Sequence, residues 1–166
     1  MLRLSSLLFV ALLILVARSI VNTTAQLPDP VATHFGGGYL ANGWMSRDEY
    51  LAFSLVFSVF LPVVIAGLAG WLPRVASRSI SLPNKHYWLA PERRAATLES
   101  ITVRAIVLGS LFAIFMAGVH WLILEANAAI PPQLPARAFW AMLIAFLAGF
   151  TVWIGEFRSR FRNIAG

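Results

Sequence analysis

The chain contains no cysteine. Disulfides, thiol catalysis, Cys-ligated zinc and iron–sulfur clusters are therefore excluded. Charge is scarce too: 12% of the 166 residues are charged, against about a quarter in an ordinary soluble domain. No long apolar run carries an ionisable group at its centre, where proton relays and ion pathways usually place one, so a pump or coupled transporter is disfavoured. There is no H-E-x-x-H, G-x-S-x-G, Walker loop or G-x-G-x-x-G. The triplet Gly36 to Gly38 is not a phosphate loop, because no Lys-Ser/Thr follows it. No carboxylate pair has a spacing suited to acid–base work. These absences point to a non-enzymatic protein that needs no cofactor.

What is abundant is apolar surface, at 59% of residues. That composition places the chain in the membrane class. Four apolar runs, at about 4–21, 51–72, 101–124 and 138–154, each reach roughly 25–35 Å as helices, enough to cross a hydrocarbon core. The expected fold is all-α and integral to the membrane. It is one domain over residues 1–166, a four-transmembrane-helix bundle with an outer loop at 22–50 and an inner loop at 73–100. The first run has a rival reading as a signal peptide, since Arg3 precedes it and "TTAQ" follows. Its full span length and the lack of a clean A-x-A site favour an uncleaved helix.

Charge sets the expected orientation. With the N-terminus in the cytoplasm, that side holds Arg3, Arg74, Arg78, Lys85, Arg93, Arg94, Arg104, Arg158, Arg160 and Arg162, and the outer side holds Arg18, Arg47 and Arg137. This is the asymmetry of the positive-inside rule. The net charge of +6 is thus explained by topology, and nucleic acid is not an expected partner. Trp44, Trp121 and Trp140 fall at the outer interface, and Trp71, Trp88 and Trp153 at the inner one, as aromatic belts require. The expected location is a bacterial cytoplasmic membrane, with both termini inside.

Small residues recur every fourth position: Ser54, Ser58, Pro62, Ala66 and Gly70; Ala105, Gly109, Ala113 and Ala117; Ala141, Ala145 and Gly149. Such stripes let helix backbones approach. They fit internal packing of the bundle, with a dimerisation face as the alternative. Pro62 lacks an N–H and predicts a kink in the second span. Ser46, Asp48 and Glu49 read as a capping box and a dipole-matched first turn. On the inner side, Pro91 and Glu92 suit the start of a surface helix that runs into the third span. Arg93 and Arg94 there are candidate contacts for anionic lipid headgroups or a partner. His34, His120, Asp29, Asp48, Glu49 and Glu125 share the outer face, but nothing in their spacing requires a metal.

The stretch "LPDPVATHFGGGYLANGWMS" resembles the short extracytoplasmic motif of a bacterial membrane domain of unknown function. That domain is found at the N-terminus of SdpI-type immunity and signalling proteins and in small stand-alone membrane proteins. The residues that carry the resemblance are Leu27, Pro28, His34, Phe35, Gly36, Asn42, Gly43, Trp44 and Ser46. "LPNKHYWLAPERR" looks like the inner connector of the stand-alone members. The resemblance covers about residues 4–94. No second, C-terminal SdpI domain is evident in the chain. It implies a non-enzymatic membrane sensor or immunity-type binding protein. The candidate recognition loop is Pro28, His34, Phe35, Gly36, Asn42, Gly43, Trp44 and Ser46, open to an extracytoplasmic peptide or protein ligand. The alternative is an accessory or structural subunit beside a membrane-protein partner. In either case the lipid bilayer is a partner. The loop is expected to be an ordered cap over the bundle, with Phe35 and Trp44 as interfacial anchors.

Overall fold

The computed structural model describes residues 1–76 and 82–162. Arg78, counted above among the inner-side cations, lies outside the described residues. Among the described residues, four helices are long and apolar enough to cross a membrane: Leu2–Thr24, Arg47–Val75, Pro91–Ala128 and Ala136–Arg162. The first is α1. The second divides into α2 (Arg47–Leu55), a π-turn (Val56–Phe60) and α3 (Leu61–Val75). A single short turn, α4 (Lys85–Trp88), precedes α5 (Pro91–Ala128), and α6 (Ala136–Arg162) follows. Between α1 and α2 lie two strands, β1 (Val31–Phe35) and β2 (Ala41–Met45), paired antiparallel with irregular register between Ala32 and Phe35. The body is all-α. The hairpin is an addition that the sequence was expected to fill with an ordered loop.

The start of α2 is fixed chemically. The Glu49 N–H donates to Ser46 Oγ at 3.3 Å, and the Ser46 N–H donates to Glu49 Oε2 at 2.9 Å, which completes the capping box. Asp29 Oδ1 accepts from the Arg47 N–H at 3.2 Å, so a second carboxylate serves the same helix end.

Near Pro62, where the sequence predicts a kink, the second long helix carries a π-turn that ends two residues before the proline, with the Leu61 N–H bonded back to the Val56 carbonyl. The turn has a packing consequence. A helix of 3.6 residues per turn rotates a four-residue repeat by about 40° each step, or about 160° over four steps. The extra residue of a π-turn takes back about 100° of that drift. Ser54, Ser58, Pro62, Ala66 and Gly70 are accordingly all buried on one face.

α5 is the central helix, packed against α1, α3 and α6. Its Gly109 marks the tightest crossing. A Cβ built there would lie 2.8 Å from the Pro62 carbonyl oxygen, 3.1 Å from Ala66 Cβ and 3.2 Å from Phe9 Cζ. Three helices therefore meet at one missing side chain, and Phe9, Leu13, Ala66, Ile106 and Ala113 form the mid-bundle core. The stripe in α6 behaves differently: Ala141 and Ala145 are exposed, and Gly149, half-buried, meets Leu111 of α5. Two further clusters close the ends. Leu27, Val31, Tyr50 and Ile123 pack under the hairpin. Leu82, Trp88, Ile101 and Phe161 pack at the far end, where Trp88 Nε1 donates to the Phe161 carbonyl at 2.8 Å. Trp88 is thus a core residue, whereas Trp44, Trp71, Trp121 and Trp140 remain exposed.

Candidate recognition site at the hairpin end

The hairpin is held on its outer edge by one side chain. Asn127, near the end of α5, accepts from the Ala32 N–H and donates to the Ala32 carbonyl, both at 2.9 Å, and also donates to the Ile123 carbonyl at 2.9 Å. A primary amide carries one acceptor and one donor side by side, so it mimics a strand neighbour for a single residue. At Ala32 the edge of β1 is satisfied without a third strand. Val31 and Ala32 are both 0% exposed, so those backbone groups have no access to bulk water.

The tip of the hairpin is clamped by the α5–α6 connection. The Ala41 N–H donates to the Pro132 carbonyl at 3.0 Å, and the Leu134 N–H donates to the Tyr39 carbonyl at 2.9 Å. Gln133 Nε2 donates to the Gly38 carbonyl at 3.2 Å, and Trp140 Nε1 donates to Tyr39 Oη at 3.0 Å. Tyr39 has φ +63°, a left-handed conformation that costs a bulky residue about 1–2 kcal/mol. The clamp on its carbonyl and its hydroxyl holds it there. Of the four loop glycines, only Gly38 adopts positive φ, at +75°.

Gly36 and Gly43 serve another purpose. His34 Nδ1 and Asn42 Oδ1 are hydrogen-bonded at 2.5 Å across the strands. A Cβ at Gly36 would strike Asn42 Nδ2 at 2.5 Å, and one at Gly43 would strike His34 Cβ at 2.9 Å. The two glycines clear the space in which the His34–Asn42 pair lies. Trp44 is 53% exposed and Asn42 is exposed beside it. Phe35 is half-buried against the cluster under the hairpin, so it anchors the hairpin from below. Pro28 lines a separate hollow of about 210 Å³ with Thr23, Gln26, Leu124 and Asn127. Ser46 is occupied in capping. The structure thus gathers His34, Gly36, Asn42, Gly43 and Trp44 on the hairpin, and puts Pro28, Phe35 and Ser46 into its supports. Arg93 and Arg94 lie at the far end: Arg93 stacks 4.1 Å over the Tyr87 ring, and Arg94 donates to the Arg74 carbonyl at 3.1 Å.

Beneath the hairpin, His120 is 5% exposed and joins three helices. Thr23 Oγ1 of α1 lies 2.7 Å from its Nε2, and Tyr50 Oη of α2 lies 2.7 Å from its Nδ1. Thr23 spends its single hydroxyl proton on the Ser19 carbonyl at 2.7 Å, so it accepts from His120. This puts a proton on Nε2; in the neutral imidazole Nδ1 is then the acceptor and Tyr50 the donor. Tyr50, Ser54 and Ser58 follow at four-residue intervals along a cavity of about 110 Å³, with Thr33 and Met45 of the hairpin also on its wall. Ser58 Oγ is buried in that wall without a hydrogen-bond partner among the described residues. The cavity has room for ordered water, which needs only about 10–15 Å³ per molecule and two or more polar partners.

The acidic and imidazole groups of this end are thus largely committed to structural bonds: Asp29 to Arg47, Glu49 to Ser46, His34 to Asn42, His120 to Tyr50 and Thr23. Among the described residues no three of them converge on a point where a metal ion would sit. Asn127, Tyr39, Gln133, Thr23 and Tyr50 were not singled out from sequence. Their partners lie up to 101 residues away, as in the Tyr39–Trp140 pair, so no local pattern marks them.

No protein-family model matches the chain, no curated protein matches it, and no solved structure matches it.

Proposed function

We propose that this is a multi-pass protein of a bacterial cytoplasmic membrane that presents the hairpin outside and keeps both termini inside. Its role on this reading is non-enzymatic: a sensor or immunity-type binding protein, like the N-terminal part of SdpI-type proteins. The likeness rests on the two short motifs described above. The membrane placement draws on four long apolar helices and on the concentration of Arg and Lys at the end opposite the hairpin.

The observation that carries the binding role is the construction of the hairpin. A loop that only joined two helices would not need a dedicated amide under one strand, a backbone clamp at the tip and two glycines cleared for a polar pair. Such pre-organisation lowers the ordering cost when a ligand binds. The surface so held displays the His34–Asn42 pair beside an exposed Trp44, a combination of polar and aromatic groups typical of recognition surfaces. The chemistry suits an extracytoplasmic peptide or protein.

A second reading, an accessory subunit of a larger membrane complex, is favoured by α6. No residue of its most apolar stretch is fully buried, and Ile144, Ala145 and Val152 are exposed along it. A photo-crosslinking amino acid separates the two. Placed at Trp44 in intact cells, it should give discrete adducts with a secreted or envelope polypeptide, while the same residue at Val152 gives only lipid adducts. Discrete membrane-protein adducts from Val152 and none from Trp44 would replace the first reading with the second.

A further inference from the structure

At the end of the molecule opposite the hairpin, α6 packs on α5 and stands off from α3. This leaves a groove of about 380 Å³. Its floor is Ile101 and Ala105 of α5, and its walls include Ala69 and Leu72 of α3 and Trp153 and Phe157 of α6. Every lining side chain is apolar. Trp153 spends its one polar atom on the Arg104 carbonyl at 3.0 Å, so the groove offers almost nothing for water to bind. Small residues, Ala69 and Ala105, and flat indole and phenyl groups line it. That apolar lining suits a hydrocarbon chain.

The end of α3 next to that wall carries the opposite chemistry, since Arg74 directly follows Pro73, which lines the groove. α3 ends beside Arg74, and the first turn of α5 brings Arg94 to the same place, where its Nη2 donates to the Arg74 carbonyl at 3.1 Å. Arg74 itself donates to the Gly70 carbonyl. Main-chain carbonyls do not neutralise a guanidinium, and neither arginine has a carboxylate within ion-pair distance among the described residues. The contrast is Arg104, which Glu156 neutralises through two bonds of 2.9 and 2.6 Å. Over this whole end, the acidic residues Glu92, Glu99 and Glu156 face a large excess of Arg and Lys. An apolar slot with unneutralised guanidinium groups next to one wall is complementary to an amphiphile with a hydrocarbon tail and an anionic head.

We infer that the α3–α5–α6 groove is a specific site for an anionic phospholipid, one acyl chain lying along Ala69, Ala105 and Trp153 and the phosphate meeting Arg74 and Arg94. The inference rests on the membrane placement proposed above. It also explains why α6 gains little from protein packing on its α3 side: the lipid completes that contact.

The test is native mass spectrometry of the full chain released from mild detergent, with phosphatidylglycerol or phosphatidylcholine of identical acyl chains added. One phosphatidylglycerol should be retained roughly tenfold better than phosphatidylcholine, the preference expected from one or two guanidinium contacts. The Arg74→Gln, Arg94→Gln double variant should retain the two lipids equally. Ala69→Phe should fill the groove and lose both. If Ala69→Phe does not fold, Ala76→Phe at the rim carries the same expectation, with melting temperature confirming a folded protein. Equal retention of both lipids by the native chain overturns the site, as does retention unchanged by a folded groove-filling variant. Fractionation before extraction keeps the membrane placement separate. A chain found in membranes that shows no lipid preference refutes the groove alone, whereas a chain recovered without detergent refutes the placement.

Discussion

Replacing Asn127 by Ala removes the amide that stands in for a neighbouring strand. Both main-chain groups of Ala32 then lose their partner, and Ala32 is fully buried. An unsatisfied buried donor or acceptor costs about 1–3 kcal/mol. Two such groups, partly relieved by water entering the hollow beside Asn127, give an expected cost of about 2–4 kcal/mol. That cost falls on the hairpin and not on the helices, so it should appear as local opening, increased about 30- to 1,000-fold. Since the chain has no cysteine, a single Thr33→Cys supplies a clean reporter. Its maleimide labelling rate in detergent should rise by that factor in the Asn127→Ala background, with helix content unchanged. Asn127→Asp keeps the acceptor for the Ala32 N–H and loses the donor to its carbonyl, so it should fall between. If labelling and amide exchange at Ala32 are the same in all three proteins, the hairpin is not held by Asn127.

Gly109→Leu should destabilise the fold by about 3 kcal/mol, the upper end for overpacking, and so lower the melting temperature sharply without changing oligomer size, because its side chain would enter the Pro62, Ala66 and Phe9 contact. Ala145→Leu, on the exposed side of α6, should leave melting unchanged; loss of an oligomer in that variant would show an intermolecular role for the stripe. Gly43→Ala should break the His34–Asn42 pair by steric contact and lower thermal stability by about 1–3 kcal/mol, whereas Gly37→Ala, with open space around it, should be neutral in the same melts. Tyr50→Phe should cost about 1–3 kcal/mol in chemical unfolding, since His120 Nδ1 loses its donor in a buried site; an unchanged midpoint would contradict the assigned hydrogen-bond chain.

Much of the helical body was legible because its signals are local. Apolar length marks the four long helices, and Ser46 with Glu49 marks the start of α2. The Ser54-to-Gly70 stripe marks a packing face, though its four-residue period stays on that face only through a π-turn that no residue announces. The same kind of stripe in α6 carries a different meaning, since Ala141 and Ala145 are exposed. Spacing shows that backbones can approach and does not show what approaches. The hairpin was the largest omission. Its strands are five residues each and irregular in register, β2 contains Gly43, and neither VATHF nor ANGWM alternates apolar and polar residue types, although burial alternates along β2. What stabilises them is Asn127 and the 132–134 segment, nearly a hundred residues downstream. His120 read as a lone interfacial histidine for the same reason: its partners, Thr23 and Tyr50, are 97 and 70 residues away.

The recognition role depends most on which side of the membrane the hairpin faces, and single-cysteine labelling decides that directly. Gly37 lies at the hairpin tip with nothing within 4 Å of a built Cβ, so Gly37→Cys should fold normally and stay accessible. Glu92, exposed in the first turn of α5, marks the opposite end. In intact cells an impermeant maleimide should modify Gly37→Cys within minutes and reach Glu92→Cys only after the membrane is permeabilised. Labelling of Glu92→Cys but not Gly37→Cys in intact cells would contradict an outward-facing hairpin and the recognition role built on it.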